Sequence, residues 1–263
     1  MNLFEYNNKK YSCTDLLNCL QKLQVKKGDI LCIHSNLVGF GKPQLPREEF
    51  LKKIIECFEK SIGETGVIIM PTFTYSFCKH EIYDKTLSHS TTGALTNFFR
   101  FQKNVKRTND PLFSFAIRGG AKERFFLCDT ISCFDFNSVY GNLLKQKGKL
   151  LLFGTQKGHT FCHFIEEQHQ VPYRYFKIFN GIVKDEKGNT YKKNIKYFVR
   201  KLDENSKLDG DKIRSVLLKN NSIIQENFAG SFIQSIQCEK YFNVISNILK
   251  ENSRYFVKKD CNE

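Results

Sequence analysis

The stretch Gly28-Asp29-Ile30-Leu31-Cys32-Ile33-His34-Ser35-Asn36-Leu37-Val38-Gly39-Phe40-Gly41 decides the fold. Four apolar residues in a row, Ile30 to Ile33, leave no polar face, which is the pattern of a short strand covered on both sides. Lys26-Lys27-Gly28-Asp29 reads as the turn before it, and polar residues and glycines follow at once. Val67-Ile68-Ile69-Met70 repeats the arrangement, entered through Gly63 and Gly66 and ending at Pro71-Thr72-Phe73-Thr74-Tyr75. Lys149 to Phe153 repeats it again, ending at Gly154.

Helical spacing fills the intervals. Thr14 to Gln24 places Leu16, Leu17, Leu20 and Leu23 on one face, with Thr14 as N-cap. Pro46 to Ser61 does the same with Phe50, Leu51, Ile54, Ile55 and Phe58. Gly93–Phe101, Ser138–Gln146 and about Thr160–His169 read as further helices. Phe113 to Ile117 alternates like a half-buried strand. Strands and helices alternating at these lengths predict an α/β three-layer sandwich around a central mixed, partly parallel sheet.

The pattern changes at Gly181. Gly181 to Tyr191 reads as strand, turn, strand, and Ile195-Lys196-Tyr197-Phe198-Val199 as a further strand. Helices follow at Asp209–Lys219 and Gln237–Glu251. No repeat, low-complexity tract or Pro/Gly linker interrupts the chain. The expectation is one domain over 1–263, with a core of about 15–180 and a C-terminal antiparallel appendage over 181–263.

Composition narrows the class. Of 263 residues, 41% are hydrophobic and 26% charged, which argues against extended disorder. Leu150-Leu151-Leu152-Phe153 is among the longest apolar runs, far short of the ~20 residues a membrane helix needs. Met1 to Tyr6 has neither a basic leader nor an apolar signal core, so a cytoplasmic location is expected. The ten cysteines are scattered with no C-x-x-C pair, which suits free thiols in a reducing compartment. Lys plus Arg less Asp plus Glu is 41 − 27 = +14. That charge invites an anionic partner: nucleic acid, membrane surface or a phosphorylated small molecule. A general Lys-, Asn-, Phe- and Ile-rich composition would produce it equally well. Basic residues do concentrate between Arg100 and Arg124, seven against Asp110 and Glu123.

Two features carry chemistry. The first is the strand running into His34-Ser35-Asn36-Leu37 and a glycine-rich turn. Ligands of parallel α/β sheets bind beyond the carboxyl ends of strands, and N–H groups in such turns hold anionic oxygens. An ordinary β-to-α turn with Ser35 as cap accounts for the same string. Neither G-x-x-x-x-G-K-[ST] nor G-x-G-x-x-G occurs, which disfavours Walker-type hydrolysis and dinucleotide binding. The second feature is Gly158-His159-Thr160-Phe161-Cys162-His163-Phe164-Ile165-Glu166-Glu167-Gln168-His169. On a helix, His163 and Glu166 are i and i+3 neighbours. A carboxylate beside an imidazole fixes its tautomer and raises its basicity, which suits a general base; a purely structural His–Glu pair has the same spacing. His159 and Cys162 invite a metal reading, but the i, i+4 histidine pair of H-E-x-x-H is missing, and no metal is expected.

Together these strings resemble the aminoglycoside 3-N-acetyltransferase family. Gly28 to Leu37 is similar to its G-D-x-L-x-V-H-S-S-L opening. Met70-Pro71-Thr72-Phe73-Thr74, Gly93-Ala94-Leu95 to Phe99-Arg100, Arg107 to Ala116, Leu151-Leu152-Phe153-Gly154 and Phe161-Cys162-His163-Phe164-Ile165-Glu166 follow in the family's order. The resemblance covers about residues 15 to 180.

It implies an enzyme that binds acetyl-CoA and transfers the acyl group to an amine of a sugar. His34, Ser35, Asn36, Leu37 and Val38 then look like the pantetheine and pyrophosphate contact, with Thr72, Arg107 and Ser114 near the cofactor. His163 aligns with the catalytic histidine and Glu166 with its carboxylate partner. Tyr75 and Glu167 are assigned to the acceptor. Transfer would be direct; Cys162 suggests a covalent route, but its i−1 position should point it away from the face of His163. Two departures stand out: Asp110-Pro111 where the family has His-Pro, and Ser35-Asn36 where it has Ser-Ser. Asp110 is therefore a third catalytic candidate, or a mark of a different acceptor.

A polycationic aminoglycoside should want a carboxylate-lined site, so a +14 chain favours an amino sugar on a nucleotide or phosphate, as in surface-glycan biosynthesis. The alternative is aminoglycoside acetylation conferring antibiotic resistance. The rival from another class is a nucleic-acid-binding module using the 100–124 stretch. A hydrolase reading lacks a G-x-S-x-G elbow. No membrane partner is expected, and a homodimer stays open.

Overall fold

The computed structural model describes residues 1–127, 129–156 and 159–258. The chain opens with the hairpin β1 (Asn2–Tyr6) and β2 (Lys9–Ser12), then α1 (Cys13–Lys22), β3 (Ile30–Ser35), β4 (Lys42–Pro43), α2 (Arg47–Ile62) and β5 (Val67–Pro71). There follow β6 (Tyr83–Asp84), α3 (Ala94–Phe99), β7 (Lys106–Arg107), β8 (Phe115–Gly119), α4 (Val139–Lys145), β9 (Lys149–Phe153) and α5 (Phe161–Gln168). The last third contributes β10 (Arg174–Lys184), β11 (Thr190–Arg200), α6 (Gly210–Lys219), β12 (Ile223–Phe228), β13 (Ser231–Gln237) and α7 (Cys238–Glu251).

The central sheet has seven strands in the order β12-β13-β9-β3-β5-β8-β7. Its heart is parallel: β3 pairs with β5 on one side and β9 on the other. Antiparallel pairs flank it, β5 with β8 and β9 with β13. The apolar runs of β3, β5 and β9 are buried throughout because both faces are covered. Period-two alternation divides them. Cys32, Ile69, Leu150 and Leu152 join one core with Phe161, Phe164 and Ile165 of α5, Leu217 of α6 and Tyr241 of α7. Leu31, Ile33, Ile68, Leu151 and Phe153 join the other with Leu16 of α1, Phe58 of α2 and Phe99 of α3. Helices therefore cover both faces, giving the three-layer sandwich.

Several boundaries differ from the sequence expectation. Ser12, not Thr14, caps α1: its Oγ accepts from the Asp15 amide at 3.2 Å while Asp15 Oδ2 accepts from the Ser12 amide at 2.7 Å. This reciprocal capping box starts the helix two residues early. Ile195–Val199 is not a further strand but the second half of β11, which pairs with β10 over eleven residues. β6 joins that hairpin to make a separate three-stranded sheet. The β12–β13 hairpin was not anticipated. Gln225, Glu226 and Asn227 dilute the apolar pattern of β12, as they can on an edge strand exposed along one side. It extends the central sheet through β13, so the appendage over 181–263 divides between two sheets.

Candidate active site

Helix α5 carries the first cluster. Phe161, Phe164 and Ile165 recur at i, i+3 and i+4, and burying each against the sheet contributes about 1.5–3 kcal/mol. That anchoring fixes the side of the helix on which His163 and Glu166 stand. His163 Nδ1 lies 2.6 Å from Glu166 Oε2. A carboxylate can only accept, so the proton sits on Nδ1 and Nε2 is the ring's working nitrogen. Arg174, at the start of β10, places Nε 3.0 Å from the same oxygen. That N–H is not aligned for a hydrogen bond, and the pair acts through charge. Arg174 also reaches His163 Nδ1 at 3.0 Å, a contact the Nδ1 proton leaves unable to accept. The guanidinium is anchored by donation to the Phe198 carbonyl at 3.1 Å.

These neighbours set the charges. Burial alone would lower the His163 imidazolium, but the Cys162 sulfur and the Glu166 carboxylate raise it to about 9. Burial would likewise raise Glu166, and His163 and Arg174 hold it below the ordinary carboxylate value instead. Cys162 does not point away as expected: its Sγ sits 3.8 Å from His163 Nδ1 because the ring folds back over the helix toward Glu166. The imidazole remains 23% exposed and lines two cavities. One, of about 390 Å³, runs under α6 past His159, Thr160 and Tyr241. The other, of about 600 Å³, lies between α5 and the β10–β11 hairpin.

The turn after β3 builds a third cavity, of about 520 Å³, from His34, Ser35, Asn36, Tyr75, Thr92 and Thr160. It opens at the carboxyl ends of β3, β5 and β9, as a parallel sheet dictates. Thr160 is common to this cavity and the one under α6, three residues ahead of His163. The Thr160 hydroxyl meets the Tyr140 hydroxyl at 2.8 Å, and that hydroxyl lies 3.2 Å from His34 Nε2. Burial, with His159 alongside, lowers His34 to about 3, so its ring is neutral. Asn36 and Val38 are exposed while Ser35 and Leu37 are half-buried, leaving the turn open to a ligand. Gly158 lies outside the described residues.

Other predicted site residues fall elsewhere. Thr72, Arg107 and Ser114 meet one another, and Arg107 also lines the cavity that Asp110 borders. Arg107 Nε donates to the Thr72 and Ser114 hydroxyls, both at 3.1 Å, and Nη2 donates to the Thr72 carbonyl at 2.6 Å. Thr72 and Ser114 have no exposed surface, so the trio is a brace between β5, β7 and the approach to β8. Asp110 does not share a cavity with His163. Its Oδ1 accepts from the Leu112 and Phe113 amides, both at 2.8 Å, and it lines a separate cavity of about 590 Å³. Burial raises its pKa despite those two donors. Glu167 is also buried, accepting from the Ser132 hydroxyl at 2.8 Å, and lines neither cavity of His163. Tyr75 lies on the wall of the β3-turn cavity.

A family model for aminoglycoside 3-N-acetyltransferase matches residues 32–250. The chain belongs to that family. Its members are N-acetyltransferases, and this chain is an enzyme of that class. Solved structures agree in fold. AAC-IIIb in binary complex with CoASH superposes with a TM-score of 0.77 at 18% identity, over 94% of this chain and 98% of that one. AAC-VIa bound to sisomicin gives 0.79 at 17% identity, over 92% and 98%. YokD from Bacillus subtilis gives 0.74 at 17% identity, over 93% and 95%. No curated protein matches the chain by sequence.

Within the acetyltransferase frame, Arg174 is the site residue that sequence reasoning missed. It lies eight residues beyond Glu166, across a turn, and no helical spacing links the two. Among the described residues no three His, Cys, Asp or Glu side chains gather as a metal site requires. His159 and Cys162 contribute to cavity walls instead. The eight cysteines within the described residues are free thiols; Cys128 and Cys261 lie outside them. Among the described residues, no helix is long and apolar enough to cross a membrane.

Proposed function

We propose that this protein transfers the acetyl group of acetyl-CoA directly to the amine of an amino sugar, with His163 as general base and Glu166 orienting it. The observation that carries this reading is the 2.6 Å contact of His163 Nδ1 with Glu166 Oε2 on a ring that still faces two cavities. The turn at Ser35–Val38, with Asn36 and Val38 exposed, is open to a ligand, and the CoASH complex of the related fold supports a thioester donor.

The neutral amine attacks the thioester carbonyl, forming a C–N bond. His163 Nε2 takes the proton released from that nitrogen, and Glu166 stabilises the imidazolium. Collapse of the tetrahedral species breaks the C–S bond, and the same proton passes from His163 to the departing sulfur. The products are the N-acetyl sugar and CoA.

The family description and the sisomicin-bound neighbour favour an aminoglycoside-type acceptor, and nothing in the comparisons supports a surface-glycan role. The test measures CoA release with gentamicin-type acceptors and with nucleotide-linked amino sugars, for the native protein and for His163→Ala. Acetyl-CoA-dependent release that needs both an amine acceptor and His163 is expected. Equal rates in native protein and variant would overturn the mechanism.

A further inference from the structure

We infer that the cavity under α6 seats an uncharged, hydroxyl- or amide-bearing segment of a substrate, recognised by Gln234 and Tyr241; this rests on the acetyl-transfer reading above. The cavity, of about 390 Å³, has His163 and Thr160 in its wall. A volume of that order is ordinary for a small-molecule site. Four buried polar atoms of its lining have no hydrogen-bond partner among the described residues: Nδ1 of His159, Nε of Arg214, Oε1 of Gln234 and the hydroxyl of Tyr241. They come from separate parts of the chain, the approach to α5, then α6, β13 and α7. A buried polar group left unpaired has given up its hydration for nothing, and native interiors hold few of them. Four around one cavity point to a ligand.

The orientation of Gln234 is fixed by its neighbours. Arg214 Nη2 can only donate, and it donates to Gln225 Oε1 at 2.9 Å. The same oxygen accepts from Gln234 Nε2 at 2.7 Å. Gln234 Oε1 therefore faces the other way, an acceptor with no donor among the described residues. In register, Gln225, Gln234 and Leu152 are neighbours across β12, β13 and β9, on the sheet face that carries Ile236. Gln234 is fully buried there, at a position where an aliphatic side chain would serve the core better.

The distribution of charge selects the ligand segment. Lys207, Asp211 and Lys258 line the cavity from exposed positions. Leu152, Leu217, Gln234, Ile236 and Tyr241 line it from buried ones, and none is charged. Burial, with His163 alongside, lowers His159 to about 4, so that ring is neutral as well. A charged group carried to this depth would meet no counter-charge, whereas a hydroxyl or amide N–H can donate to Gln234 Oε1 and pair with Tyr241. Two substrate parts offer that chemistry: a sugar ring of the acceptor and the amide-bearing pantetheine arm of CoA.

The native full-length protein, Gln234→Leu and Tyr241→Phe are titrated calorimetrically with CoA, with the adenosine bisphosphate fragment of CoA, which lacks the arm, and with gentamicin. Urea unfolding and acetyl-CoA-dependent turnover are followed in parallel. Each variant should bind CoA or gentamicin roughly fivefold or more weakly, the scale of one lost hydrogen bond. Neither should lose stability: Gln225 Oε1 keeps its Arg214 donor, and the Tyr241 hydroxyl has no bond to give up. Weaker binding of CoA with that of its fragment unchanged identifies the pantetheine arm as the occupant. Weaker binding of gentamicin with that of CoA unchanged identifies the acceptor ring. Affinities unchanged in both variants would mean that solvent alone fills the cavity, and overturn the inference. Equal weakening of CoA and its fragment would also overturn it, since the arm and the ring would then play no part. Weakened binding in the variants without acetyl transfer by the native protein would instead sink the acetyl-transfer reading while the subsite stood.

Discussion

Arg174 Nε and Glu166 Oε2 lie 3.0 Å apart with both side chains almost wholly buried, one on β10 and the other on α5. The ion pair thus ties the separate hairpin sheet to the helix that bears the proposed base. Removing one member of a buried pair strands the other charge, typically at about 3–5 kcal/mol. Arg174→Ala should destabilise the protein by about that amount in urea unfolding. Glu166→Gln combined with Arg174→Ala should cost less than the sum of the two single losses, because each substitution alone already removes their contact. Strict additivity of the two substitutions would show that the pair is not coupled.

His163→Ala should lower kcat at least a hundredfold, the usual scale of a general-base contribution, while acetyl-CoA still binds. The distinction is structural: the ring and the β3 turn line different cavities, and Thr160 borders both the β3-turn cavity and the one under α6. Calorimetry with CoA, run beside the rate measurement, checks both halves.

The same histidine sets the pH response. Its folded pKa is raised from the ordinary 6.5 to about 9, so Nε2 is free to accept a proton only on the alkaline side. kcat/KM should therefore rise with pH and level off near 9, and Glu166→Gln should move that limb toward neutrality. In stability the sign reverses. A raised histidine contributes fully below pH 6.5 and loses its contribution as pH climbs through about 9. His34 acts oppositely: lowered to about 3, it favours the folded state above pH 6.5 and loses that advantage as pH falls. Melting temperature should consequently decline on both flanks, which a thermal scan from pH 4 to 10 would reveal.

The parallel core was legible because β3, β5 and β9 are covered on both faces, and continuous apolar runs have no other use in a chain of this composition. The His163–Glu166 pair was legible because i, i+3 spacing is a local property of one helix. Arg174 was not, since its contact depends on where the hairpin docks. The mutual bonds of Thr72, Arg107 and Ser114 were not legible for a related reason. Motif order places them near the cofactor, but only tertiary packing reveals that they bond to each other. Ser12 displaced Thr14 as cap because Asp15 falls three residues after Ser12, a reciprocal bond that a search for the nearest hydroxyl overlooks.

The brace makes Arg107 a test of structure against binding. Its guanidinium donates to two hydroxyls and to the carbonyls of Thr72 and Ser88, a geometry that a lysine ammonium cannot reproduce. Arg107→Lys should leave at least one buried acceptor unpaired and cost about 1–3 kcal/mol in unfolding. The KM for acetyl-CoA should stay within twofold. A large rise in that KM with unchanged stability would restore the direct cofactor role that the motif suggests.

Gly154 packs the end of the sheet against the proposed cofactor turn. It ends β9 with φ +72°, a left-handed conformation that favours glycine. A Cβ there would run into the Asn36 carbonyl and would lie 2.5 Å from the Phe40 ring. Asn36 is itself held by donation of its amide to the Phe153 carbonyl at 2.8 Å, so the two loops cannot part without losing that bond. Gly154→Ala should therefore push the His34–Val38 turn outward as well as strain the backbone, with a stability cost above about 1 kcal/mol. The expected kinetic signature is a raised KM for acetyl-CoA. If acetyl-CoA affinity survived this substitution unchanged, the turn after β3 would not be where the cofactor binds.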